Sequence, residues 1–190
     1  MMSKKRLFAI ICVILFGILI NVFIVTRPDG YAPIDVDMQL EITSDQDGIV
    51  QVFYGNNGQF DESSSLVFEY TKKNKTELFT GKVPSDVTSI RLDFPDDSSV
   101  AWVSLLRFDR YGNEISLTED MLSDISTVRL NQVSWNDGKM DVSIAGADSC
   151  VIFDDKDFPL HEITDEHELR INQLKKIAAC IFVDIALFGI

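Results

Sequence analysis

A chain of 190 residues, 46% of them hydrophobic, has room for one domain of ordinary size together with membrane segments. Between Arg27 and Leu174 it carries 12 Lys and Arg against 29 Asp and Glu, a difference of −17. A field of that sign repels nucleic acid and anionic headgroups, which excludes both as partners of this part of the surface. Of the three cysteines only Cys150 lies outside the apolar runs, so an internal disulfide framework is excluded too. Small secreted animal domains usually need such a framework, and its absence points toward a bacterial surface.

Residues 7–25 (LFAIICVILFGILINVFIV) hold no charge and a single polar side chain, Asn21. About 20 apolar residues at roughly 1.5 Å of rise cross a bilayer core. The pattern therefore predicts a transmembrane helix over residues 7–26. Lys4, Lys5 and Arg6 precede it and Arg27 follows, which predicts a cytoplasmic N-terminus over residues 1–6 and an extracytoplasmic remainder. A cleaved signal peptide would have a shorter apolar stretch ending in small residues, whereas this one ends in Phe23-Ile24-Val25-Thr26-Arg27-Pro28. The reading is an uncleaved anchor in the cell membrane.

After a Pro/Gly linker, Arg27–Pro33, the pattern becomes alternating. Met38–Thr43 reads as a half-buried strand, and Ile49–Tyr54 as a β-branched and aromatic one. Further strands are predicted at 65–71, 76–79, 89–94, 100–109, 128–135, 139–144 and 149–153. Asp45–Gly48, Gly55–Gly58, Lys72–Lys75, Arg110–Glu114 and Asn136-Asp137-Gly138 serve as turns. A short helix is expected near Thr118, where a capping hydroxyl precedes two acids. Strands every 8 to 12 residues with turn residues between them predict a mainly β fold, a two-sheet antiparallel sandwich over residues 34–160. Residues 165–176 have acids first and lysines last, as a helix dipole favours, and lead into the apolar run 177–190. That run is either the start of a second membrane helix in a chain cut short or a hydrophobic tail. Asp184 within it is costly at membrane depth unless paired or protonated.

Catalytic signatures are absent from the sequence. The two histidines, His161 and His167, lack the spacing that places both on one helical face for zinc, and there is no GxSxG, HExxH, phosphate loop or CxxC. The chain is expected to be non-catalytic and to need no cofactor. Calcium is the alternative, since Asp45-Gln46-Asp47-Gly48 opens like a calcium loop; yet position 12 counted from Asp45 is Asn56 rather than Glu. Asp45 and Asp47 are the candidate metal ligands. Sugar binding needs a flat ring for the apolar face of a pyranose and amides or carboxylates for its hydroxyls. Tyr54, Gln59, Phe60, Trp102, Tyr111 and Asn113 are the candidates, with Tyr54 and Tyr111, beside Gly/Asn turns, expected to be the most exposed. An aromatic on a strand more often packs in the core.

Two stretches carry a resemblance: Asp47–Tyr54 followed by Gly58–Ser65, and Ile90–Pro95 followed by Leu105–Asp109. They resemble the extracytoplasmic β-sandwich, of jelly-roll or galactose-binding-like type, that follows the first helix of large multi-pass bacterial membrane proteins. The similarity covers roughly residues 34–159. It implies a jelly-roll-like domain associated with cell-surface polysaccharide synthesis or glycosyl transfer, with transferase chemistry carried by further helices. The expected partners are the bilayer and either glycan or other membrane subunits. A structural juxtamembrane module and a fragment of a glycosyltransferase or hydrolase are the competing functions.

Overall fold

The structure, a computed structural model, describes residues 4–26, 34–110, 112–163 and 166–188; the side chains of 4–12, 166–170 and 188 are not described. The backbone falls into two units, Met1–Ala32 with Asp165–Ile190, and Pro33–Thr164.

The larger unit is built from two antiparallel sheets. One has the strand order β4-β1-β6-β10-β9, formed by β1 (Asp35–Ser44), β4 (Glu77–Pro84), β6 (Val100–Arg110), β9 (Leu130–Asn136) and β10 (Lys139–Ile144), with β7 (Asn113–Ser116) pairing on β6. The other has the order β3-β2-β5-β11-β8, formed by β2 (Gly48–Gly55), β3 (Ser65–Tyr70), β5 (Ser89–Asp93), β8 (Ser126–Val128) and β11 (Cys150–Asp154). The two orders match position by position: β3 and β4, β2 and β1, β5 and β6, β11 and β10, β8 and β9 are each consecutive in the chain. The chain therefore crosses between equivalent places in the two sheets.

Alternation explains how the sandwich closes. In β1 the side chains of Val36, Met38, Leu40 and Ile42 are all buried, and in β2 so are Val50 and Val52. Burying each such side chain contributes on the order of 1.5–3 kcal/mol. In β6 the register slips between Glu41 and Ile42 of its partner, leaving Ser104 as the extra residue of a bulge. Ala101 and Val103 before it and Leu106 and Phe108 after it consequently all face inward. Phe158 closes the core edge-on to both Phe108 and Phe153, at 5.0 and 5.2 Å.

Three expectations need correction. The predicted strand 128–135 is broken at Arg129, whose φ of 52° turns the chain, so β8 joins one sheet and β9 the other. Periodicity cannot see such a turn, because Arg is not a turn-former by composition. The helix expected near Thr118 is a 3₁₀ turn, Glu119–Ser123, and Thr118 makes no side-chain capping bond. Asn113, assigned to a turn, instead starts β7.

The smaller unit consists of α1 (Lys4–Thr26) and α2 (Glu166–Phe188). The apolar run 177–190 is thus no separate tail at its start, because α2 passes through it without interruption as far as Phe188. Among the described residues no helix is long and apolar enough to cross a membrane.

Candidate functional site

The outer face of the five-stranded sheet holds a cleft of about 490 Å³, within the range of small-molecule sites. Its floor follows directly from strand periodicity. Residues two apart on a strand share a face, so Gln51 and Phe53 of β2 and Arg91 and Asp93 of β5 all point outward. The pairing register sets Gln51 beside Asp93 and Phe53 beside Arg91. On the next strand Cys150 lies beside Asp93.

Arg91 holds this floor together. Its Nε donates to Asp93 Oδ1 at 2.7 Å and its Nη2 to Oδ2 at 2.6 Å, the two-pronged geometry that suits a guanidinium and a carboxylate. The guanidinium carbon sits 4.9 Å from the centre of the Phe53 ring, a cation–π arrangement. Phe60 meets Phe53 edge-on at 6.4 Å. Gln51 Nε2 donates to Glu62 Oε2 at 3.0 Å and to Ser65 Oγ at 2.9 Å, which holds the amide in place.

Electrostatics follow from this crowding. Burial raises the Asp93 carboxyl above its ordinary range, against the opposing pull of Arg91, and the charges of Asp148 and Glu62 add to the rise. Burial likewise raises the Cys150 thiol, so it is protonated at neutral pH and a poor nucleophile. Asp61 lies below its usual range because Ser63 donates to it from both its hydroxyl and its backbone N–H.

The acidic rim is largely committed to the loops that build it. Asp47 Oδ1 accepts the Lys73 N–H at 2.8 Å, Asp96 Oδ1 accepts the Asp148 N–H at 3.0 Å, and Asp148 Oδ2 accepts from Arg129 Nη1 at 3.0 Å. Among the described residues no group of three or more His, Cys, Asp or Glu is arranged to hold a metal ion.

Of the residues proposed from sequence, the cleft gathers Phe60 and Asp47. Asp45 lies in the same turn but its Oδ1 accepts the N–H groups of Ser99 and Val100 at 3.0 and 3.3 Å. It pins β6 to β1 and does not reach the cleft. Tyr54 is the neighbour of Phe53 and so faces the opposite way, half-buried against the core and not, as expected, on the surface. Gln59 is exposed in the turn after β2, bridged to Asn56. Trp102 lies on the outer face of the other sheet, and Asn113 is exposed on β7. Tyr111 lies outside the described residues.

Gln51, Phe53, Glu62, Arg91 and Asp93 were missed as site residues. The signal was present: Arg91-Leu92-Asp93 places opposite charges on one face of a strand with an apolar residue between them. What was hidden was the pairing of β5 with β2, which brings Phe53 and Gln51 alongside. The arrangement as a whole sets hydrogen-bonding groups around a pair of rings, one buried and one half-buried. No protein-family model, no curated protein and no solved structure matches the chain.

Proposed function

We propose that the chain is a membrane-tethered, extracytoplasmic binding module whose jelly-roll-like sandwich recognises glycan at the cleft between Phe60, Arg91 and Glu62. It acts without catalysis, as an accessory to the building of a bacterial surface polysaccharide. The single observation that carries the reading is the Arg91–Asp93 pair laid over Phe53 inside a cleft of about 490 Å³. A pre-set fan of amide, carboxylate and guanidinium groups beside the half-buried Phe60 ring matches the hydroxyls and apolar face of a sugar. The protonated Cys150 thiol and the mutual satisfaction of Arg91 and Asp93 argue against covalent or acid–base chemistry there. The strand order, with consecutive strands in equivalent places of the two sheets, supports the jelly-roll type.

Tethering by α1 rests on its sequence, an apolar run 19 residues long within a helix that extends from Lys4 to Thr26. A structural juxtamembrane module is the second reading. Ile49 and Val67, 49% and 59% exposed on the same sheet face as the cleft, favour it by offering an apolar margin for a protein partner.

The test is a glycan-array screen of the full chain in a zwitterionic detergent without a sugar headgroup, with and without calcium. Saturable binding that Arg91→Ala and Phe60→Ala abolish is the expected result. Silence from a folded, monodisperse sample would reject glycan recognition and leave the protein-docking reading. Extraction of membranes with alkaline carbonate tests the tether, which requires the chain to stay in the pellet.

A further inference from the structure

The outer face of the six-stranded sheet carries a second feature, independent of the cleft because it lies on the other side of the sandwich. Strand register aligns four outward side chains across four strands. Thr43 of β1 pairs with Trp102 of β6, Trp102 with Asp141 of β10, and Asp141 with Ser134 of β9. The adjoining row continues from Val100 through Ser143 to Gln132. Trp102, Asp141 and Ser134 of the first row and all three residues of the second line a shallow depression of about 170 Å³.

The chemistry of this ledge is specific. Trp102 is half-buried on an outer face, although apolar rings of this size usually turn to the core. The other tryptophan, Trp135, does so and packs against the core from β9. Around the Trp102 indole stand a carboxylate, an amide and hydroxyls. Asn136 Nδ2 donates to Asp141 Oδ2 at 2.8 Å and to Ser134 Oγ at 3.3 Å, which fixes the direction of the Asp141 carboxylate. No lysine or arginine lines the depression, and a carboxylate does. An anionic ligand is therefore repelled and a neutral ring bearing hydroxyls is favoured.

We propose that Trp102, Asp141 and Gln132 form a second carbohydrate contact, for one neutral hexose of a chain, on the face opposite the cleft. The indole stacks on the apolar face of the ring; Asp141 and Gln132 accept and donate hydrogen bonds at its edge. With both faces engaged, a module bound to a repeating polysaccharide bridges two chains or two segments of one. The gain in avidity then depends on glycan length rather than on any new contact.

The experiment uses the full chain in the same sugar-free zwitterionic detergent, probed with cellohexaose, chitohexaose and mannohexaose. Intrinsic fluorescence reads the ledge directly, because the chain has two tryptophans and Trp102→Phe leaves Trp135 as the reference. The expected result is that at least one oligosaccharide shields Trp102 from acrylamide quenching, and that this shielding survives Arg91→Ala. Trp102→Ala lowers the affinity of that contact about tenfold, in line with the worth of an aromatic contact. Asp141→Asn, which keeps an acceptor in place, weakens it less than Asp141→Ala and serves as the variant that preserves the fold. Binding that Arg91→Ala abolishes and Trp102→Ala leaves intact would overturn the ledge and keep the cleft. Binding lost only with Trp102→Ala would keep the ledge and overturn the cleft. No shielding by any of the three sugars in a folded sample would overturn the ledge outright.

Discussion

Asn21 Nδ2 donates to Asp184 Oδ1 at 2.9 Å. The bond joins the lone polar side chain of the first apolar run to the lone carboxylate of the second, 163 positions away in the chain. Each residue is an anomaly in its own helix, and the anomalies answer one another. Asn21 Oδ1 is buried without a partner among the described residues, so the amide has one orientation that satisfies Asp184. Polar pairs of this kind fix the rotation of one apolar helix against another.

This pairing predicts a selective crosslink. In a background lacking Cys12 and Cys180, Asn21→Cys with Asp184→Cys should oxidise to a disulfide readily. Asn21→Cys with Phe182→Cys should not, because Phe182 is 73% exposed and points away from α1. Equal crosslinking of the two pairs, read on a non-reducing gel, would refute a fixed register between α1 and α2.

Asp93 should titrate above its ordinary value of 3.8, since burial outweighs the pull of Arg91. The sign of the consequence follows. A carboxyl whose folded pKa is raised contributes stability that is complete below the unfolded pKa and lost as pH rises through the folded one. Arg91→Ala removes the opposing pull and should lift Asp93 further. The variant should then cost about 1–3 kcal/mol at pH 7, where a buried carboxylate has lost its partner, and less near pH 3. Carbon-detected NMR of the Asp93 carboxyl, with denaturant melts at the two pH values, checks both parts. A midpoint unchanged by Arg91→Ala would defeat the explanation.

Tyr70 is fully buried, and its hydroxyl ties three segments together. The Ser44 N–H donates to Oη at 3.0 Å, while the carbonyl oxygens of Lys75 and Lys72 stand 2.7 and 2.8 Å away to receive its proton. Tyr70→Phe strands these buried backbone groups and should destabilise the sandwich by about 1–3 kcal/mol. The midpoint of thermal unfolding should fall by several degrees. An unchanged midpoint would mean that water replaces the hydroxyl without loss.

Gly55 ends β2 where the chain turns toward Phe60. A Cβ at this position would collide with the carbonyl oxygen of Gln59, and backbone atoms cannot swing aside as a flexible side chain can. Gly55→Ala should therefore open the turn and displace Phe60 from Phe53. Ring-proton chemical shifts of both phenylalanines should change, and any ligand of the cleft should bind more weakly. Retention of the wild-type shifts would show that the turn adapts at little cost.

Much of the strand layout could be read from residue order, for a simple reason. Alternation such as Met38-Gln39-Leu40-Glu41-Ile42 is imposed by a sheet with one wet and one buried face, and that constraint acts within a single strand. Asp184 likewise announced its need for a partner by chemistry alone. Features with a purely local cause were legible; those depending on a single backbone angle, such as the break at Arg129, were not.

Which strands would pair was decided only in three dimensions. Gln51 meets Asp93 across 42 positions of sequence and Asn21 meets Asp184 across 163, and no local pattern encodes either meeting. The orientation of Tyr54 and Phe53 turned on the same point. Neighbours on a strand face opposite ways, so whichever face packs on the core sends one ring inward and leaves the other to floor a cleft. The sequence determined that both rings sit on a strand; packing between the sheets decided which one would face the core and which would lie under Arg91 in the cleft floor.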